Sequence, residues 1–150
     1  MSKPQFVYVI YIKAAPEKVW NGLLDPAMTR IYWMHENVSD WKPGSRWEHR
    51  RTDPHGTVDI VGEVVEFDPP KRLVHSWTSM YNPETAKEPA SRVTWEIEPQ
   101  DTGTCLLTLT HDRLERSPLT AVGVFGSGWM HVVSGLKTLL ETGQPMDDDV

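Results

Sequence analysis

Ser127 to Thr142 reads SGWMHVVSGLKTLLET, and its apolar spacing decides the fold. Trp129, Val132, Val133, Leu136, Leu139 and Leu140 fall at steps of three, one, three, three and one, the period of a single helical face. His131, Ser134, Lys137, Thr138 and Glu141 take the opposite side. Gly143 and Pro145 then supply the left-handed stop and the breaker expected just past a helix end. A rod of sixteen residues is roughly 24 Å long, as long as a strand of about seven residues, so it can lie along a whole sheet.

Working outward from that helix, the preceding chain has a period of two. In Thr104 to His111, the residues Cys105, Leu107, Leu109 and His111 oppose Leu106, Thr108 and Thr110. Before the turn at Gln100-Asp101-Thr102-Gly103, Val93, Trp95 and Ile97 alternate with Thr94, Glu96 and Glu98. A polar loop from Asn82 to Pro89 separates these from Leu73, His75 and Trp77, which alternate with Val74, Ser76 and Thr78. The turn Asp68-Pro69-Pro70-Lys71 leads back to Thr57 to Phe67, and Asp53-Pro54-His55-Gly56 joins that run to Ser45 to Arg51 as a hairpin, with Trp47 and His49 on one face. Further back, Asp25-Pro26 and Ala15-Pro16-Glu17 each place Pro at a first helical position, which predicts two small helices. Phe6 to Lys13 (FVYVIYIK) opens the chain as a β-branched and aromatic strand, expected to be well covered. The order is one strand, two small helices, about six antiparallel strands and one long helix. A meander of that length curls, and the terminal helix is long enough to cover its concave face. The fold class is therefore α+β, with a curved antiparallel sheet gripping a C-terminal helix.

Composition bounds the function. A chain of 150 residues with no compositional break reads as one domain and buries about two-thirds of its unfolded surface. Seven Trp favour a partly polar interior or a lined cavity, because each indole brings a donor as well as apolar area. A net charge of -6 argues against a nucleic-acid partner, and the short basic cluster Arg46, His49, Arg50 and Arg51 reads as a solvated strand face. Cys105 is alone, the N-terminus lacks a signal-peptide layout, and no apolar run approaches the length of a membrane span. A reducing, cytoplasmic setting is expected. Residues 144–150 form an acidic tail expected to be disordered.

The runs APEKVW (15–20), LLDP (23–26) followed by Tyr32 and Trp33, PGSRW (43–47), EVVEFDPPKRLVHSW (63–77), VTWEIEP (93–99), GTCLLTLTH (103–111) and GWMHVVSGLKTLLETG (128–143) resemble the activator-of-heat-shock-protein-90-ATPase homologue family. That family belongs to the superfamily of START lipid-transfer domains, polyketide cyclases and the birch-pollen allergen. The resemblance covers nearly the whole chain in order. It implies the helix-grip architecture, with seven strands around the C-terminal helix and a cavity between them, but it carries little about chemistry. The family's eukaryotic co-chaperones hold this domain as one part of a longer chain, so chaperone stimulation is not part of the expectation here. The sequence has no glycine-rich phosphate loop and no kinase-like glycine motif.

Projecting the alternation inward puts Trp47, His49, Leu73, His75, Trp77, Val93, Trp95, Ile97, Leu107, Leu109 and His111 on the concave face, opposite Trp129, Val133 and Leu136 of the helix. These residues either wall a ligand cavity or fill the core. No metal or other cofactor is expected. The strands bearing His49, His75 and His111 alternate with others, which separates neighbours by about 9 to 10 Å, whereas a metal needs nitrogens about 2 Å away. His111 is expected as a hydrogen-bonded group at a strand end, and His75 as a satisfied core residue. Trp20, Tyr32 and Trp33 either gate the cavity mouth or plug the open end of the sheet, and the loop from Tyr81 to Ala90 lies where a rim or lid would be. The leading expectation is binding of a small apolar or amphipathic molecule, by a monomer or a homodimer. The alternatives are a polyketide-cyclase-like enzyme using His75 or His111, and a stress-related interaction module acting through its outer surface.

Overall fold

The structure, a computed structural model, describes residues 4–147. Strand β1 (Phe6–Ile12) leads into helices α1 (Pro16–Leu24) and α2 (Pro26–Tyr32). The strands β2 (His35–Ser39), β3 (Arg46–Arg51), β4 (Val58–Asp68) and β5 (Arg72–Ser79) follow, then the short helix α3 (Pro83–Ala86). Strands β6 (Ser91–Pro99) and β7 (Cys105–Asp112) lead to helices α4 (Pro118–Val124) and α5 (Gly128–Thr142). Local chemistry sets these boundaries. Pro16 and Pro26 occupy first-turn positions, Asp25 accepts from the Ala27 N–H at 2.9 Å, and Gly143 at φ 77° returns its N–H to the Leu139 carbonyl at 2.8 Å. The peptide between Pro69 and Pro70, in the turn from β4 to β5, is cis.

The seven strands form one antiparallel sheet in the order β1-β7-β6-β5-β4-β3-β2. Trp129, Val133, Leu136 and Leu139 of α5 are buried against its concave face. The small helices pack onto α5 from the other side at close range. A Cβ on Gly22 of α1 would come within 2.7 Å of Leu136 Cδ1, and one on Gly135 of α5 within 3.3 Å of Tyr32 Cβ. The Tyr32 hydroxyl donates to the Gly22 carbonyl at 2.6 Å, which joins α2 to α1. At the far end, the Lys13 N–H donates to Glu141 Oε2 at 2.8 Å and Lys137 Nζ donates to the Tyr11 carbonyl at 2.8 Å, tying α5 to the end of β1.

Strand β1 departs from expectation: it is covered on one face only. Val7, Val9 and Tyr11 are 48%, 53% and 57% exposed, while Phe6, Tyr8 and Ile10 pack against the core. The cause is its place at the sheet edge, on a sheet whose convex face has no second layer. An all-apolar strand hides that alternation from sequence reading. The polar loop after β5 holds the helical turn α3, capped by Asn82, whose Oδ1 accepts from the N–H groups of Glu84 and Thr85. Helix α4 was not expected. Of the acidic tail, Asp147 Oδ2 lies 3.0 Å from His131 Nε2, and residues 148–150 fall outside the described residues.

Gly62 on β4 faces Trp47 on β3, whose indole N–H passes over it to donate to the Ser76 carbonyl of β5 at 2.9 Å. A Cβ at Gly62 would collide with both the Ser76 carbonyl and the indole nitrogen. Gly62→Ala is therefore expected to lower stability by about 3 kcal/mol, through overpacking and loss of that hydrogen bond. Urea unfolding reads this directly, and an unchanged midpoint would contradict the packing described.

Candidate functional site

One cavity of about 250 Å³ opens between the β3–β5 region of the sheet and the two C-terminal helices. Trp33, at the end of α2, joins Trp77 of β5 and Trp129 of α5 as its aromatic wall, beside His49 of β3 and Ile60 of β4. Leu119, Val124 and Val132 close it from the helical side, and Ser79, Tyr81, Thr85 and Thr120 supply the polar lining. Helices α4 and α5 meet at a bend of 41°, and both contribute to the lining.

Of the residues expected on the concave wall, His49, Trp77 and Trp129 line this cavity. Trp47, Leu73, His75 and Trp95 surround a separate gap of about 10 Å³, too small for more than a water molecule. Val93, Ile97, Leu107, Leu109, His111, Val133 and Leu136 line neither space and pack as core. Trp33 belongs to the wall, whereas Trp20 and Tyr32 are buried, Trp20 with its ring 5.4 Å from that of Phe67. The rim expected from the loop after β5 is present in Tyr81 and Thr85. Sequence reading missed the residues from α4. The available signal was Ser117-Pro118, an N-cap type followed by Pro at a first helical position, with Leu119 and Val122 behind it.

The three inward histidines have different partners. The His111 ring has no exposed surface and its Nδ1 accepts the Trp129 indole N–H at 3.1 Å. An indole only donates, so the His111 proton sits on Nε2 and is given to Ser91 Oγ at 2.8 Å, and Ser91 in turn donates to the Trp77 carbonyl at 3.2 Å. That chain is complete, and it fastens α5 to β7, β6 and β5. His75 donates from Nδ1 to the Ser76 carbonyl at 3.0 Å and faces the small gap. His49 is the one that meets the larger cavity. Its Nδ1 pairs with Asn37 Oδ1 at 2.7 Å, and Asn37 is oriented by its own amide, which donates to the Leu23 carbonyl at 3.0 Å. The Asn37 oxygen must therefore accept, so the proton of His49 is on Nδ1 and its Nε2 carries the lone pair.

Behind His49 lies a cluster that sequence reading did not find. Asp59 of β4 is only 2% exposed and receives Arg51 Nε at 3.0 and 2.8 Å on its two oxygens. Burial works to raise the Asp59 carboxyl, but the Arg51 and His35 hydrogen bonds more than offset it and hold the group below the usual range. His35 places Nε2 2.8 Å from Asp59 Oδ2 and Nδ1 2.8 Å from the Trp33 carbonyl. Both partners are hydrogen-bond acceptors. The His35 ring stacks on His49 with centroids 4.1 Å apart and planes 8° apart. The signal in the sequence was Asp59 itself, a carboxylate inside the apolar run Val58 to Val61. Among the described residues, no three His, Cys, Asp or Glu side chains converge as a metal site. Cys105 is buried, donates its thiol to the Ala14 carbonyl at 3.1 Å, and is pushed up by that burial.

A curved seven-stranded sheet gripping a C-terminal helix, with a cavity at the start of that helix, defines a helix-grip domain. The chain belongs to the family of activator of Hsp90 ATPase homolog 1-like proteins, whose model matches residues 13–141. No curated protein matches the chain. Among solved structures, protein MLL2253 of Mesorhizobium loti superposes with a TM-score of 0.75 at 25% identity, over 94% of this chain and 99% of that one. CalU16 of Micromonospora echinospora gives 0.74 at 22% identity, over 99% and 71%. The Aha1 dimer of Colwellia psychrerythraea gives 0.71 at 19% identity, over 94% and 98%. The last two likenesses carry the fold alone. No single helix among the described residues is long and apolar enough to cross a membrane.

Burial pushes all three inward histidines down, to about 3 for His49 and His111 and about 4 for His75. For His49 the neighbouring His35 adds to the effect. An unfolded histidine titrates near 6.5, so as the pH falls below that value the unfolded chain takes up protons that the folded chain refuses. Stability is therefore lost on acidification from about pH 6.5 downward, by up to about 4 kcal/mol per pH unit near pH 5 if all three contribute. Urea midpoints measured from pH 7.5 to pH 5 test this. A flat profile across that interval would contradict the neutral, buried assignment.

Proposed function

We propose that this domain binds a small apolar or amphipathic molecule in the cavity between sheet, α4 and α5, and acts as a carrier or sensor instead of a catalyst. The observation that carries this reading is the wall of the cavity: three tryptophans line a space of about 250 Å³ together with one histidine whose ring is fixed by Asn37. Apolar walls with a few placed polar groups are the usual composition of a small-molecule site. The lone, buried Cys105 accords with a reducing, cytoplasmic setting.

Catalysis has less support. His111 spends both ring nitrogens on Trp129 and Ser91, and His75 faces a gap that holds no substrate. His49 reaches the cavity, but burial and the adjacent His35 oppose its taking up a proton, which makes it a weak general base. It is better suited to orient a ligand than to accept a proton from one.

A bound molecule stabilises the folded state by mass action. At a hundred times its Kd it is expected to raise the melting temperature by roughly 5–10 °C in a chain of this size. Val132→Trp, which extends a half-buried wall residue into the cavity, is expected to abolish that shift and leave the melting temperature of the free protein within about 3 °C. Thermal melts with neutral bicyclic compounds such as naphthalene and indole, paired with native mass spectrometry, provide the measurement. Absence of both a shift and a bound mass for every such probe would remove the binding reading.

A further inference from the structure

Besides the donors of Ser79, Tyr81 and the Trp33 and Trp77 indoles, the cavity is lined by polar groups of the opposite sense. Three of its polar groups have already committed their protons elsewhere. His49 gives its Nδ1 proton to Asn37 and presents an Nε2 lone pair. Thr120 Oγ1 donates to Glu88 Oε1 at 2.6 Å, and Glu88 also accepts the Leu119 and Thr120 N–H groups at 2.8 and 2.9 Å, so that carboxylate is fixed in place. Thr85 Oγ1 donates to the Asn82 carbonyl at 3.1 Å. What these side chains turn toward a guest is oxygen and nitrogen lone pairs. No Lys or Arg lines the cavity, and behind His49 the Arg51 Nε–H and His35 Nε2 are both engaged with Asp59.

We propose that the cavity selects neutral molecules that carry a hydroxyl or N–H donor on an apolar, ring-sized body, with His49 Nε2 as the principal acceptor. The proposal rests on the binding reading above and adds the chemical class of the ligand. A hydrocarbon of the same shape leaves the His49 lone pair without a partner once water is expelled, which is the larger part of the expected discrimination. A molecule that offers only an acceptor, such as an ether, sets lone pair against lone pair at His49. A carboxylate does so with a full charge and finds no cation in the wall to compensate it.

The test is a set of matched probes with one ring system: 2-naphthol, naphthalene, 2-methoxynaphthalene and 2-naphthoate, titrated at pH 7.5 by competition saturation-transfer NMR. The expected result is that 2-naphthol binds about tenfold more tightly than naphthalene, the ether no better than naphthalene, and the carboxylate most weakly. In His49→Phe the preference for naphthol over naphthalene is expected to shrink to within about twofold while naphthalene still binds. Thr120→Val, a milder change at the rim, is expected to reduce the same ratio in part. The wild-type series stands even if His49→Phe fails to fold. Naphthalene or the ether binding as tightly as naphthol, or the carboxylate binding tightest, overturns the donor rule while leaving the cavity a binding site. Failure of all four probes to bind overturns the binding reading with it.

Discussion

Trp129 brings a large ring and an indole N–H into the space between sheet and helix, and that N–H has to be met where no water reaches. It is met by His111 Nδ1 at 3.1 Å. A buried donor left unpaired costs on the order of 1–3 kcal/mol, so the bond constrains where along the sheet α5 can sit. Other features follow from that position. The Trp129 ring lies 5.2 Å from Trp77, 5.5 Å from Trp95 and 5.7 Å from Trp33, in tilted or edge-on arrangements. Below Trp129, Val133 and Leu136 are close enough to the strands to pack without gaps. Before it in the chain, α4 meets α5 at 41°, and the cavity lies between the sheet and these two helices.

The same physical logic separates three histidines that share one side of the sheet. Alternation along β3, β5 and β7 places His49, His75 and His111 inward, and that placement was legible from the sequence. Their chemistry was not, because it depends on what stands opposite each ring. His111 meets an obligate donor and becomes an acceptor at Nδ1. His75 meets a carbonyl and becomes a donor. His49 meets an amide oxygen and also becomes a donor there, leaving its other nitrogen for the cavity. In each case the tautomer is a property of the neighbours, which lie 12 and 18 residues away for His49 and His111 and in the backbone itself for His75.

Period-two strands, Pro-initiated helices and the apolar stripe of α5 were enough to reach the helix-grip architecture, because each is a local pattern with one way to bury its apolar face. The cavity depends on something non-local. It is lined by both α4 and α5, which meet at 41°, and by Tyr81 and Thr85 of the loop after β5, and neither that angle nor that loop has a periodic signature. Inward phase therefore identified more wall candidates than there is wall: Val93, Ile97, Leu107 and Leu109 are inward and fully packed. The Asp59 cluster escaped for a related reason. His35 is 24 residues from Asp59, and only the pairing of β2 with β3 and of β3 with β4 brings them together.

The cavity is also open by composition. Gly123 in α4 and Gly128 at the start of α5 both line it, and neither is required by close packing. A Cβ at Gly123 would meet nothing within 4 Å, and one at Gly128 only the Gly123 carbonyl at 3.9 Å. Gly123 is exposed one residue before the end of α4, and Gly128 is exposed at the start of α5. Gly22 and Gly62 are different, because a Cβ there would strike Leu136 or the Ser76 carbonyl. Gly22 and Gly62 thus make room for the core, whereas Gly123 and Gly128 border the cavity without being required by packing.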